Sequence, residues 1–138
     1  MPSLFSRIVN GEIPCCKVAE NEGNLAFLDI NPLVKGHVLV IPKIEVDYIF
    51  DLEADVYSGL WLFSKRVSVA MKKAIVCRRI GVAVIGLEVP HAHIHLIPMN
   101  RVSDMNFANA KLSIEAKELQ LIAEKISNEF ISLRDVED

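Results

Sequence analysis

The sequence predicts an α+β domain with a mostly antiparallel sheet, one long helix and a C-terminal helix. Short aliphatic runs punctuated by Gly, Pro and Asn recur through the first half of the chain, which is how strands and turns read. Two longer segments instead repeat apolar residues every three or four positions, the period of a helix packed on one side. With 138 residues and 51% hydrophobic content, the chain has enough apolar surface for one core. No compositional break marks a second domain, so residues 1–138 are expected as one unit, with 104–138 as a helical extension.

Leu4, Phe5 and Ile8 follow helical spacing and stop at the turn pair Asn10-Gly11. Beyond Pro14 the chain becomes extended. Lys17 to Glu20 and Asn24 to Ile30 are expected as strands around the polar turn Glu22-Gly23, with Asn31-Pro32 closing the second. Gly36-His37-Val38-Leu39-Val40-Ile41 is β-branched and ends at Pro42, which predicts a central strand with His37 near its start.

The long helix comes next. Asp51 is its expected cap, Glu53 and Asp55 suit its first turn, and Leu52, Val56, Leu60, Phe63, Val67, Ala70, Met71 and Ala74 form the stripe that packs on the sheet. Ile80 to Ile85 is an aliphatic strand, and Gly86 leads through Leu87-Glu88-Val89 into a last strand bracketed by Pro90 and Pro98, antiparallel to it. From Ser113 as cap, Ile114, Leu119, Ile122, Ile126, Phe130 and Leu133 mark the final helix, a docking stripe rather than a ligand site.

Charge and composition narrow the partners. A net charge of −3 and a pI near 5.8 argue against a general nucleic-acid-binding surface. The one basic cluster, Lys72, Lys73, Arg78 and Arg79, surrounds the end of the long helix, where positive charge complements the helix dipole. No apolar run approaches the roughly 20 residues that span a bilayer, and no secretory core is expected at the N-terminus. Cys15, Cys16 and Cys77 are odd in number and imply no disulfide framework. A cytoplasmic protein with reduced thiols is the expectation.

The chemistry lies in Pro90-His91-Ala92-His93-Ile94-His95-Leu96-Ile97-Pro98. On a strand, His91, His93 and His95 share one face, while a helix would turn His93 roughly 160° away from its neighbours. Three imidazoles on one face, with His37 on a nearby strand, crowd titratable groups without structural gain, which points to catalysis. A three-histidine metal site is the other chemistry open to them. Alternate strand residues lie about 6.6 Å apart, which makes convergence on one ion awkward.

This segment resembles the signature of the histidine triad (HIT) family, His-φ-His-φ-His-φ-φ with φ apolar. The likeness extends to Phe5-Ser6-Arg7-Ile8-Val9-Asn10-Gly11-Glu12-Ile13-Pro14, Ala26-Phe27-Leu28-Asp29-Ile30-Asn31-Pro32 and Gly36 to Lys43, in family order and spacing. The resemblance implies the HIT-like fold, a homodimer, and attack on the α-phosphorus of a nucleotide by the middle histidine, His93. By the same likeness His95 touches phosphate oxygens, His91 lies toward the leaving group and His37 completes the cluster. Asp29 corresponds to the ribose-binding carboxylate. Leu4, Phe5, Ile8, Phe27, Ile30 and Leu39 line the base slot, and the backbone around Glu88 and Val89 helps to cradle the phosphate.

The implied substrate is a purine nucleotide or nucleoside phosphoramidate, cleaved without a cofactor. Two alternatives stand beside it: a dinucleoside polyphosphate hydrolase or nucleotidyltransferase using the same His93, and a nucleotide-binding regulator without turnover. Departures from the family pattern bear on the choice. The loop before the triad is shorter, Leu87 stands where a Gln is usual, and Glu88 replaces a small polar residue. A zinc-binding subset carries cysteines near the first helix and a histidine in a Pro-Lys-x-His block. Here those positions are Ser3, Ser6 and Glu45, so no structural metal is expected.

Overall fold

The structure is a computed structural model that describes residues 2–137, with side chains through Leu133. Met1 and Asp138, the ends of the expected domain, lie outside the described residues. Its elements run α1 (Leu4–Val9), β1 (Lys17–Glu20), β2 (Asn24–Leu28), β3 (Val38–Pro42), α2 (Ala54–Ala74), β4 (Arg79–Ala83), β5 (Ile94–Met99) and α3 (Ala116–Glu137). The five strands form one sheet in the order β1-β2-β3-β5-β4, and every neighbouring pair is antiparallel.

Alternation along the strands gives the sheet two faces with different fates. Ala26, Leu28, Val38, Val40, Ile94 and Leu96 join the stripe Leu60, Phe63, Val67, Ala70 and Met71 of α2 in the main core. Leu119, Ala123, Ile126, Phe130 and Leu133 of α3 complete that core beside α2, over β1 and β2, with Phe130 edge-on to Phe63 at 5.7 Å. Leu25, Phe27, Leu39 and Ile41 point the other way, where short α1 covers them through Phe5, Ile8 and Val9, with Cys15 and Val89 beside it. β3 is buried along its whole length because both faces are covered. That explains its uninterrupted aliphatic sequence.

Several boundaries differ from expectation, each for a local reason. Asp51 does not cap α2. Ile49–Asp51 forms a 3-10 turn instead, and Glu53 precedes the helix without a side-chain cap. Burying Ile49 and Leu52 under the core holds that turn in place. The strand expected from Asn24 to Ile30 stops at Leu28, and the one expected from Ile80 to Ile85 runs Arg79–Ala83. Helix α3 begins at Ala116 rather than after Ser113, with Ile114 packed against the core from outside it.

The histidine strand shows the largest difference. β5 starts only at Ile94 and contains Pro98, so His91 and His93 lie ahead of it. β3 ends at Pro42, which has no N–H to extend the ladder. The chain before β5 bonds elsewhere, with Ala92 N donating to Val46 O at 2.7 Å.

Candidate active site

His95 is the histidine that the sheet itself aims. It sits opposite Leu39 of β3, and Leu39 sits opposite Phe27 of β2, so all three side chains stand on the face that α1 leaves partly open. His93 packs beside it, ring centroids 5.0 Å apart, and also meets the Phe5 ring at 5.0 Å. His37, just before β3, lies 5.2 Å from His95.

Hydrogen-bond partners dictate the proton on each of these rings. Leu33 N donates to His37 Nδ1 at 3.2 Å, so the His37 proton is on Nε2. Nε2 donates to His95 Nδ1 at 3.0 Å, which puts the His95 proton on Nε2 in turn. A peptide carbonyl can only accept, so the 2.7 Å contact between His93 Nδ1 and His91 O makes Nδ1 the donor and leaves the lone pair on His93 Nε2. One ring therefore presents a nucleophilic nitrogen and its neighbour an N–H donor.

Burial keeps His37 and His95 uncharged. His37 is pushed down to about 3, first by burial and then by neighbouring His95. His95 is held down at about 4, again chiefly by burial, with His93 adding to it. Asp29 is shifted up by burial, against the pull of the Asn31 N–H and Lys111. Its Oδ1 accepts from Asn31 N at 2.9 Å, and its Oδ2 lies 3.9 Å from His37 Nε2. One carboxylate thus closes the turn after β2 and faces the cluster.

These groups line a cleft of about 790 Å³, within the size range of small-molecule sites. Leu4, Phe5, Ile8, Phe27, Ile30 and Leu39, expected around a base, all line it, as do Asp29, Glu88, Val89, His37, His93 and His95. His91 does not. It is fully buried, donating from Nε2 to Pro42 O at 2.8 Å while its Nδ1 accepts from the Ser3 hydroxyl at 2.9 Å. The expectation that His91 faces a leaving group is corrected: both nitrogens are committed to holding the backbone whose carbonyl orients His93.

Ser3, Ser6 and Glu45 gather around His91. Ser6 Oγ donates to Glu45 Oε1 at 2.6 Å, and the Ser3 amide and hydroxyl tie α1 to Glu45 and His91. Those hydrogen bonds, Ser6 first, lower Glu45 to about 2. Two hydroxyls and a carboxylate do not form the thiolate and imidazole set that structural zinc takes. Among the described residues, no group of three or more His, Cys, Asp or Glu is arranged to hold a metal ion.

Among the cleft residues that the sequence reading did not place there, two stand beside the histidines. Phe107 and Lys111 come from the segment between β5 and α3, and Phe107 stands edge-on to His95 at 5.0 Å. Leu112 N bonding to Pro32 O at 2.8 Å carries this segment over the cleft. No periodicity or motif marks it in the sequence.

Known proteins are similar to this chain in sequence and in fold. The HIT domain family matches residues 10–102. An HIT-like protein of Borreliella burgdorferi is 33% identical over 132 residues, covering 90% of this chain and 95% of its own. An adenosine 5'-monophosphoramidase of Schizosaccharomyces pombe is 34% identical over 131 residues, covering 93% and 98%. The crystal structure of a Hit-like protein from Bartonella henselae superposes with a TM-score of 0.81 at 26% identity, covering 92% of this chain and 95% of that one.

Proposed function

The chain belongs to the HIT domain family, and from that premise we propose that it hydrolyses nucleoside 5'-phosphoramidates, or related nucleotides, at the α-phosphate through a nucleotidyl-histidine on His93. The observation that carries this reading is the bond from His93 Nδ1 to the His91 carbonyl, which leaves Nε2 unprotonated on a ring lining the cleft. The similarity to an adenosine 5'-monophosphoramidase supports the substrate class and a purine base.

In the first step His93 Nε2 forms a bond to phosphorus as the phosphorus–nitrogen bond of the substrate breaks. The amine leaves with that electron pair and takes up a proton from water. The imidazolium formed on His93 keeps its Nδ1–H on the His91 carbonyl, whose dipole stabilises the new positive charge. His95 Nε2–H donates to a non-bridging phosphate oxygen. Water then attacks phosphorus, the bond to His93 breaks, a proton is released to solvent, and the nucleoside monophosphate departs. Asp29 accepts the ribose hydroxyls, and the slot between Phe5, Phe27 and Leu39 takes the base.

The same reading treats residues 1–138 as one HIT domain whose 104–138 extension shares its core, as α3 does with α2. It takes the protein as a cytoplasmic homodimer. Edge strand β4 and the segment after it, with Val82, Val84 and Ile85 exposed, support the dimer. The test is product analysis with adenosine 5'-phosphoramidate. Wild-type protein releases AMP and ammonia, and His93→Asn releases neither. Full turnover by His93→Asn refutes the reading.

A further inference from the structure

We propose that Lys111 is the phosphate-binding cation of this cleft, placing its ammonium on a non-bridging oxygen of the α-phosphate beside His95. This inference rests on the nucleotide reading above and adds a residue from outside the histidine signature.

The charges of the cleft call for such a group. Asp29 and Glu88 put two carboxylates on its wall, and His37 and His95 are held neutral by burial. An anionic phosphate entering that field is repelled unless a cation faces it. Among the described residues lining the cleft, Lys111 carries the one permanent positive charge.

Geometry holds it there. Lys111 Nζ donates to Phe107 O at 3.0 Å and lies 5.4 Å from the centre of the Phe107 ring. That ring is 5.0 Å from His95 and 6.4 Å from His37. The ammonium has three protons, and the bond to Phe107 O uses one, leaving two for phosphate oxygens. Asp29, His37 and His95 all respond to the Lys111 charge, which places it on their side of the cleft, next to the His95 donor. Lys111 supplies the attraction that compensates for Glu88.

Calorimetry with AMP and with adenosine separates this charge from a structural role. Lys111→Met keeps the length of the side chain and removes the charge. It is expected to weaken AMP binding about tenfold and leave adenosine binding unchanged, while Lys111→Arg restores most of the AMP affinity. The AMP affinity of the wild-type protein falls with added salt more steeply than that of Lys111→Met. Equal AMP affinity in Lys111→Met and wild type overturns the inference, and so does a matched loss of AMP and adenosine. Failure of the wild-type protein to bind AMP overturns the nucleotide reading itself, and this inference with it.

Discussion

Mild acid should destabilise this protein through the very rings that line its cleft. An unfolded histidine takes up its proton near the ordinary value of 6.5, whereas the native protein keeps His37 neutral down to about 3 and His95 down to about 4. Between those limits the unfolded state binds more protons, so stability present above pH 6.5 is lost as the pH falls. Both native values lie below pH 5. The loss between 6.5 and about 5 is therefore set by the unfolded rings, at about 2 kcal/mol each and about 4 kcal/mol for the pair. That is a large share of the roughly 5–15 kcal/mol that holds a domain together. Glu45, lowered to about 2 from 4.5, makes its loss chiefly below this window, so the window reports on histidines. Urea titrations followed by circular dichroism at about pH 7 and about pH 5 measure the change. The double variant His37→Gln/His95→Gln should lose about 4 kcal/mol less than wild type over the same interval. An identical loss in the two proteins refutes the argument that buried, neutral imidazoles carry this pH dependence.

Asp29→Ala should weaken binding of ribonucleotides about tenfold, with little effect on 2',3'-dideoxynucleotides, because two hydroxyl donors lose their acceptor; equal binding of both sugars by wild type contradicts that role. Gly36→Ala should destabilise the fold by about 2 kcal/mol or more. Gly36 has φ +91, and an added Cβ would collide with the Ile75 side chain and crowd Pro98. An unchanged midpoint on thermal melting contradicts that reading.

Much of this architecture is legible in the sequence because apolar periodicity and burial are the same fact seen twice. The continuous aliphatic run of β3 reflects cover on both faces, and the α2 stripe from Leu60 to Met71 is the core that the structure buries. What the sequence hides is set by distant partners. The alternating histidines read as one strand, yet Pro42 cannot extend the ladder and Val46 captures Ala92, so His91 turns inward behind His93. Asp51 has the chemistry of a cap, but burial of Ile49 and Leu52 moves the start of α2 beyond it. Phe107 and Lys111 reach the cleft through a contact with Pro32, far away in the chain, which leaves no local signal. Asp29 is the opposite case: a turn residue by local chemistry and a cleft residue by position, it serves both readings.

The central claim is that His93 Nε2, freed by the His91 carbonyl, becomes bonded to phosphorus during turnover. Rapid acid-free quenching of the protein mixed with adenosine 5'-phosphoramidate, followed by mass spectrometry of its peptides, tests it most directly. The account predicts an adenylyl group on His93, absent from His93→Asn. Turnover with no adduct on the protein, or with the adduct on another residue, contradicts it.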